Sequence, residues 1–221
     1  MKYKIIFLML FSLIFFIGEN KTYSCPDGWQ ELSFERTYSY SYAGGEFQCD
    51  FRITYCCGWD AVNQERVIMF KWVSPVNSSI CFLLLPNWDD FLLWLHRVTK
   101  EHAKDSCFAL PSCDDTVNVV YKYKIVTSPC VYYENWQPYW GDDYVMRIVF
   151  CNDSSVYKCV YKMCYDFHFS PPQLRIVFLN MVPVNQRCAV EEPQVPPPGK
   201  TWEQHWITNC FERFHPICPE Y

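Results

Sequence analysis

Apolar and polar residues that alternate with a period of two mark strands, because successive side chains leave opposite faces. Residues 46–57 show this pattern clearly. Phe47, Cys49, Phe51, Ile53, Tyr55 and Cys57 share one face, and Glu46, Gln48, Asp50, Arg52, Thr54 and Cys56 share the other. Upstream, ELSFERTYSYSY (31–42) sets Leu32, Phe34, Tyr38, Tyr40 and Tyr42 on one face. Ala43-Gly44-Gly45 lies between the two segments, and glycine accepts the positive φ that a tight hairpin turn demands. A hairpin is therefore predicted over 31–57.

The same reading predicts a second hairpin, from YVMRIVFC (144–151) through the turn-forming NDSS (152–155). Its return strand would set Tyr157, Cys159, Tyr161, Met163 and Tyr165 against Lys158, Lys162 and Cys164. Residues 116–126, TVNVVYKYKIV, alternate as well. Two further runs, RVIMFKWV (66–73) and RIVFLNMV (175–182), are apolar enough to predict buried strands.

One segment changes to helical spacing. Trp88, Phe91, Leu92, Leu95 and Val98 recur every three or four residues. Asn87 is a suitable N-cap, Asp89 and Asp90 suit the positive end, and Lys100 and Lys104 suit the negative end. This helix can run to Cys107. Thr201-Trp-Glu-Gln204 has the form of a capping box and predicts a shorter helix from Thr201 to Cys210. The proline-rich EEPQVPPPG (191–199) before it predicts an extended connection.

These elements echo one another. RVIMFKWVSPVNSSIC (66–81) resembles RIVFLNMVPVNQRC (175–188), and CFALPSC (107–113) resembles CFERFHPIC (210–218). Cys25 to Cys113 and Cys130 to Cys218 have equal length, and each half holds seven cysteines. The expected fold is β-dominated α+β, built as a tandem duplication of a disulfide-rich unit with a hairpin, a buried strand and a capped helix. The units would be residues 25–113 and 130–218, joined by a connecting strand at 114–129.

Six cysteines in each half have counterparts: Cys25 with Cys130, Cys49 with Cys159, Cys56 with Cys164, Cys81 with Cys188, Cys107 with Cys210, and Cys113 with Cys218. Cys57 and Cys151 are left over. By elimination each half would close three bridges of its own, and Cys57 would join Cys151 across the halves. Cys56 and Cys57 face opposite ways in a regular strand, so different partners are expected. Six cysteines allow 15 connectivities, so the internal pairs stay open.

The N-terminus places Lys2 and Lys4 before an apolar run from Ile5 to Ile17, too short for a bilayer span and suited to a signal peptide over 1–24, cleaved within about 18–24. A lipid-anchored Cys25 is the rival, disfavoured by the polar stretch Glu19–Thr22 before it. Fourteen cysteines after such a segment predict disulfides in an oxidising compartment. The expected location is extracellular, or periplasmic or cell-surface in a bacterium. A formal charge of −5 gives no basic footprint for nucleic acid, and no later run is apolar enough to span a membrane.

Candidate chemistry is sparse. His96, His102, His168, His205 and His215 show no ligand spacing, and no nucleophile, zinc or phosphate-loop motif occurs, so no catalytic residue, cofactor or metal is expected. Asp114-Asp115 and Asp142-Asp143 fall in predicted turns. Asn77-Ser-Ser and Asn152-Asp-Ser fit the glycosylation pattern. The aromatic residues are the ligand-binding candidates: Tyr38, Tyr40 and Tyr42 as a stripe, and Trp136, Tyr139 and Trp140 in NWQPYWGDD (135–143). The expected function is a secreted, non-enzymatic module that binds an extracellular protein or a glycan. A secreted enzyme with an unrecognised site, and a structural component of an envelope or matrix, are the alternatives.

Overall fold

The computed structural model describes residues 24–76, 78–107, 109–114, 122–138, 142–151, 156–183 and 188–219. Residues 116–121, the predicted turn at 152–155, both glycosylation sequons' asparagines, and Tyr139 and Trp140 lie outside these.

The predicted first hairpin forms. β1 (Gln30–Tyr42) pairs antiparallel with β2 (Gly45–Asp60), in a register that sets Tyr42 against Gly45. Ala43 and Gly44 between them both have positive φ, 50° and 82°, the requirement of a two-residue type I′ turn. β2 then pairs with β3 (Glu65–Pro75), with a bulge at Thr54/Tyr55.

β3 is the branch point of the molecule. The start of its free edge, Arg66–Met69, runs parallel to β4 (Lys122–Thr127). Farther along the same edge, Trp72 and Val73 pair antiparallel with β6 (Val145–Phe150). One arm continues from β4 to β7 (Tyr157–Asp166) and β8 (Gln173–Val182). The other continues from β6 to β5 (Cys130–Trp136), which also holds the short β9 (Trp206–Ile207) and β10 (Phe211–Glu212). The result is one open ten-stranded sheet, β-dominated as expected, in which strands of both sequence halves interleave.

The helix packs on one face of the sheet, over β1 and β2. α1 (Ile80–Leu83) is a single turn, and α2 (Trp88–Ser106) is the helix predicted from the periodicity. Asn87 caps it as expected, its Oδ1 accepting from the amides of Asp89 at 2.9 Å and Asp90 at 3.3 Å. Phe91, Leu92 and Leu95 on α2 are fully buried against Phe51, Ile53 and Tyr55 of β2, with Ile125, Tyr157 and Ile148 of the two arms completing one core.

Several expectations are corrected. The 144–165 hairpin does not form, because β6 and β7 stand in different arms with β3 and β4 between them. Residues 201–210 are not helical: Gln204 closes a turn on Thr201, and Trp206-Ile207 then pairs with β5. Ten residues are too few to hold a helix without tertiary support, and the aromatic and β-branched pair gains more from joining the sheet. The run 175–182 is not buried; β8 is an exposed edge.

Seven disulfides cross-link the fold, and no described cysteine is free. Cys25–Cys56, Cys49–Cys81 and Cys57–Cys107 close within the first half. Cys130–Cys188, Cys151–Cys210 and Cys159–Cys218 close within the second. Each half thus has three bridges of its own and one bridge joins them, but the joining pair is Cys113–Cys164 and not Cys57–Cys151. The reason is topological. Packing of α2 across the hairpin brings Cys107 over the inner face of β2, within reach of Cys57. Cys113 sits beside the end of β7, its amide donating to the carbonyl of Tyr165 at 2.8 Å. The bridges are not equivalent between the halves: Cys49 bonds Cys81, whereas their sequence counterparts Cys159 and Cys188 bond Cys218 and Cys130.

Candidate binding surface

The tyrosine stripe lies on one face of β1, as the alternation predicts, but its three members have different surroundings. Tyr40 is buried, stacked between Tyr38 at 5.7 Å and Phe47 at 5.8 Å. Tyr42 is exposed at the hairpin tip, edge-on to Phe47. Tyr38 is half-buried and leans on the helix, its ring 4.9 Å from Trp94 and 5.3 Å from Phe91.

Tyr38 and Trp94 form the floor of an open groove of about 480 Å³. Asp90 and Arg97 of α2 line it, and the C-terminal segment Ile217–Pro219 forms the opposite wall. Cys218 in that wall is anchored to β7 through Cys159, so a bridge fixes the wall of the groove. Burial pushes the Tyr38 phenol up, and the nearby Asp90 carboxylate adds to this, so the hydroxyl stays protonated as a donor. The groove therefore offers an apolar aromatic floor, a hydroxyl, one carboxylate and one guanidinium on a rigid frame. The helical periodicity predicts Trp88, Phe91 and Leu95 as buried. Asp90 and Arg97 have no sequence signal that sets them beside Tyr38, because only the docking angle of α2 does so.

Trp136 stands elsewhere, on the outer face of the sheet. Trp72 and Trp136 touch there, ring centres 5.5 Å apart, and Arg147 lies against both, 4.1 Å from the Trp136 ring and 5.1 Å from the Trp72 ring. Its guanidinium bonds Glu134 Oε2, Nε at 2.8 Å and Nη2 at 2.7 Å. His205 meets the other carboxylate oxygen at 3.1 Å. Trp136 thus contributes one face of a cation–π cluster, and it does not join the tyrosines.

The buried polar groups centre on the inner face of α2. His96 is wholly buried beside Phe70 and Tyr157, and its Nε2 meets the Thr127 hydroxyl at 3.0 Å. Burial and the neighbouring Lys100 push its imidazole down to about 3. Lys100, one turn on, lies 4.3 Å from the centre of the Tyr161 ring, and burial pushes its amine down to about 7. His102 stacks on Phe34 at 4.2 Å and meets the Tyr55 hydroxyl at 2.8 Å. His215 bonds Asp89 at 2.8 Å, which raises its pKa and ties the C-terminal segment to the start of α2.

Two other clefts occur. One of about 410 Å³ lies at the Cys57–Cys107 bridge beside Trp59 and Arg66. One of about 300 Å³ lies between Trp88, Tyr133 and Arg213, where Arg213 covers the Trp88 ring at 4.1 Å and pairs with Glu192. His96 and Lys100 line none of the three clefts. Among the described residues no group of three or more His, Cys, Asp or Glu is placed to hold a metal ion, and no helix is long and apolar enough to cross a membrane. No protein family, no curated protein and no solved structure matches the chain.

Proposed function

We propose that this is a secreted, disulfide-cross-linked binding protein that takes part of an extracellular protein in the groove between β1 and α2. The groove carries the reading. It joins an aromatic floor to one positive and one negative group, the composition of an anchor pocket for an apolar side chain with polar neighbours. Its wall is fixed by a disulfide, so little ordering entropy is lost on binding. Seven bridges are compatible with an extracellular setting, and the basic and apolar N-terminal run supports secretion by cleavage within about 18–24. His96 and Lys100 are buried in the core and line none of the three clefts described, which supports binding over catalysis.

The test is an unbiased screen of the secreted protein against extracellular protein and glycan arrays, run in parallel with Arg97→Glu and Tyr38→Ala. A protein ligand lost in both variants and kept in Lys200→Glu, at an exposed position that lines none of the three clefts, supports the reading. Ligands that survive both groove changes refute it, and a glycan-only profile replaces the partner class. N-terminal sequencing of the secreted chain reads the cleavage point directly.

A further inference from the structure

β8 ends the long arm of the sheet. It pairs with β7 along one edge and, among the described residues, with no strand along the other. Seven successive residues, Ile176 to Val182, carry no charge. Val177 is 52%, Leu179 44%, Met181 39% and Val182 42% exposed. Free edges of this length are normally guarded, because their unpaired N–H and C=O groups template further strands. Here prolines stand at the ends and Leu179 forms a bulge, but the middle is open.

The adjoining outer face is cationic. Lys162 lies directly opposite Lys122 across the β4–β7 ladder, and Lys158 lies opposite Val126. Toward the edge, Lys162 faces Val177 and Lys158 faces Val182. Lys124 and Arg175 on the same face are answered by Glu65 and Asp166. Lys122, Lys158 and Lys162 have no acidic partner among the described residues. Like charges directly opposed across strands cost stability, and this pair occurs in a chain whose formal charge is −5.

We propose that the β8 edge receives an acidic, extended segment of a partner protein as an added strand. Its backbone would satisfy the free groups of β8. Its outward-facing carboxylates would lie beside Val177 and Val182, within the sweep of the Lys162 and Lys158 side chains. The intervening residues would be apolar and extend the row of Ile176 and Phe178. A second copy of this chain is the poorer occupant. Pairing of β8 with its twin merges two outer faces and adds one set of lysines to the other with no carboxylate between them. The proposal is independent of the groove.

The experiment uses a fluorescein-labelled peptide of four Val-Glu repeats and a matched Val-Lys peptide, titrated with the intact protein and read by anisotropy. The Val-Glu peptide should bind and the Val-Lys peptide should not. Binding should weaken roughly tenfold in the Lys158→Glu, Lys162→Glu double variant. It should also weaken between about 50 and about 300 mM salt. Failure of the Val-Glu peptide to bind, or equal binding of both peptides, overturns the proposal, and this comparison needs only the wild type if the double variant does not fold. Undiminished binding in a folded double variant overturns it too. So does a dimer of the free protein that Val177→Lys dissolves, since that assigns the edge to a second copy.

Discussion

Cys56 and Cys57 are neighbours in β2, yet they leave the strand on opposite faces and hold different parts of the molecule. Cys56 bonds Cys25, which ties down the segment before β1; Cys57 bonds Cys107 and ties the sheet to the end of α2. The two bridges should therefore differ in what they protect. Replacing Cys57 and Cys107 by serine should cost about 2–4 kcal/mol and speed amide exchange through the last turns of the helix. Replacing Cys25 and Cys56 should loosen the N-terminal segment and leave helix exchange unchanged. Non-reducing peptide mapping checks the connectivity first.

Gly58 follows this pair, and the Trp29 indole lies directly on it. A Cβ at position 58 would fall 2.4 Å from the Trp29 ring, closer than real contacts permit. Gly58→Ala should displace the indole and lower stability by about 1–3 kcal/mol. Urea unfolding measures the loss, and a change in tryptophan emission reports the displaced ring. An unchanged midpoint would mean that Trp29 swings aside freely.

His96 should make the fold acid-sensitive. Burial holds its folded pKa at about 3, below the ordinary imidazole value of 6.5. The unfolded chain therefore takes up a proton in this interval that the folded chain refuses. Stability from this group is fully present above about 6.5 and is lost as pH falls toward 3, with a limiting slope of about 1.4 kcal/mol per pH unit. His96→Gln keeps a partner for Thr127 and cannot titrate. The stability gap between wild type and variant, measured by urea unfolding, should shift in favour of the variant from pH 7 to pH 4. Lys100, also pushed down, acts with the same sign at higher pH, so stability should rise with pH above about 7.

The Trp72–Arg147–Trp136 cluster predicts coupling across the outer face. Arg147 and Glu134 are mostly buried, so removal of the carboxylate strands a guanidinium against two rings. Glu134→Gln should cost about 2 kcal/mol, and the double-mutant cycle with Arg147→Met should give an interaction energy of at least about 0.5 kcal/mol. Additive effects in unfolding experiments would reduce the cluster to incidental packing.

Local chemistry explains what the chain announces in advance. A period-two pattern and a Gly turn predict the 31–57 hairpin, and an N-cap with a 3.6 period predicts α2, because both depend on neighbours within a few residues. The same logic fails where neighbours in space decide. The Thr201–Gln204 segment closes only a single backbone turn, since the β5 edge offers Trp206 and Ile207 more than a short helix does. The strands at 145–150 and 157–166 are correctly predicted, but their mutual pairing is not, because β3 intervenes. β8 reads as buried from hydrophobicity alone, and its exposure follows from its place at the end of the sheet.

The sequence by itself determined a cysteine-rich, β-dominated chain with one strong helix, since alternation, capping residues and composition act over short distances. Only the tertiary structure decided that both halves share one forked sheet, that Cys113 and not Cys57 bridges them, and that Asp90 and Arg97 flank Tyr38. Those outcomes depend on long-range strand pairing and on the angle at which α2 crosses β1 and β2. Residues far apart in sequence set both, and no local pattern encodes them.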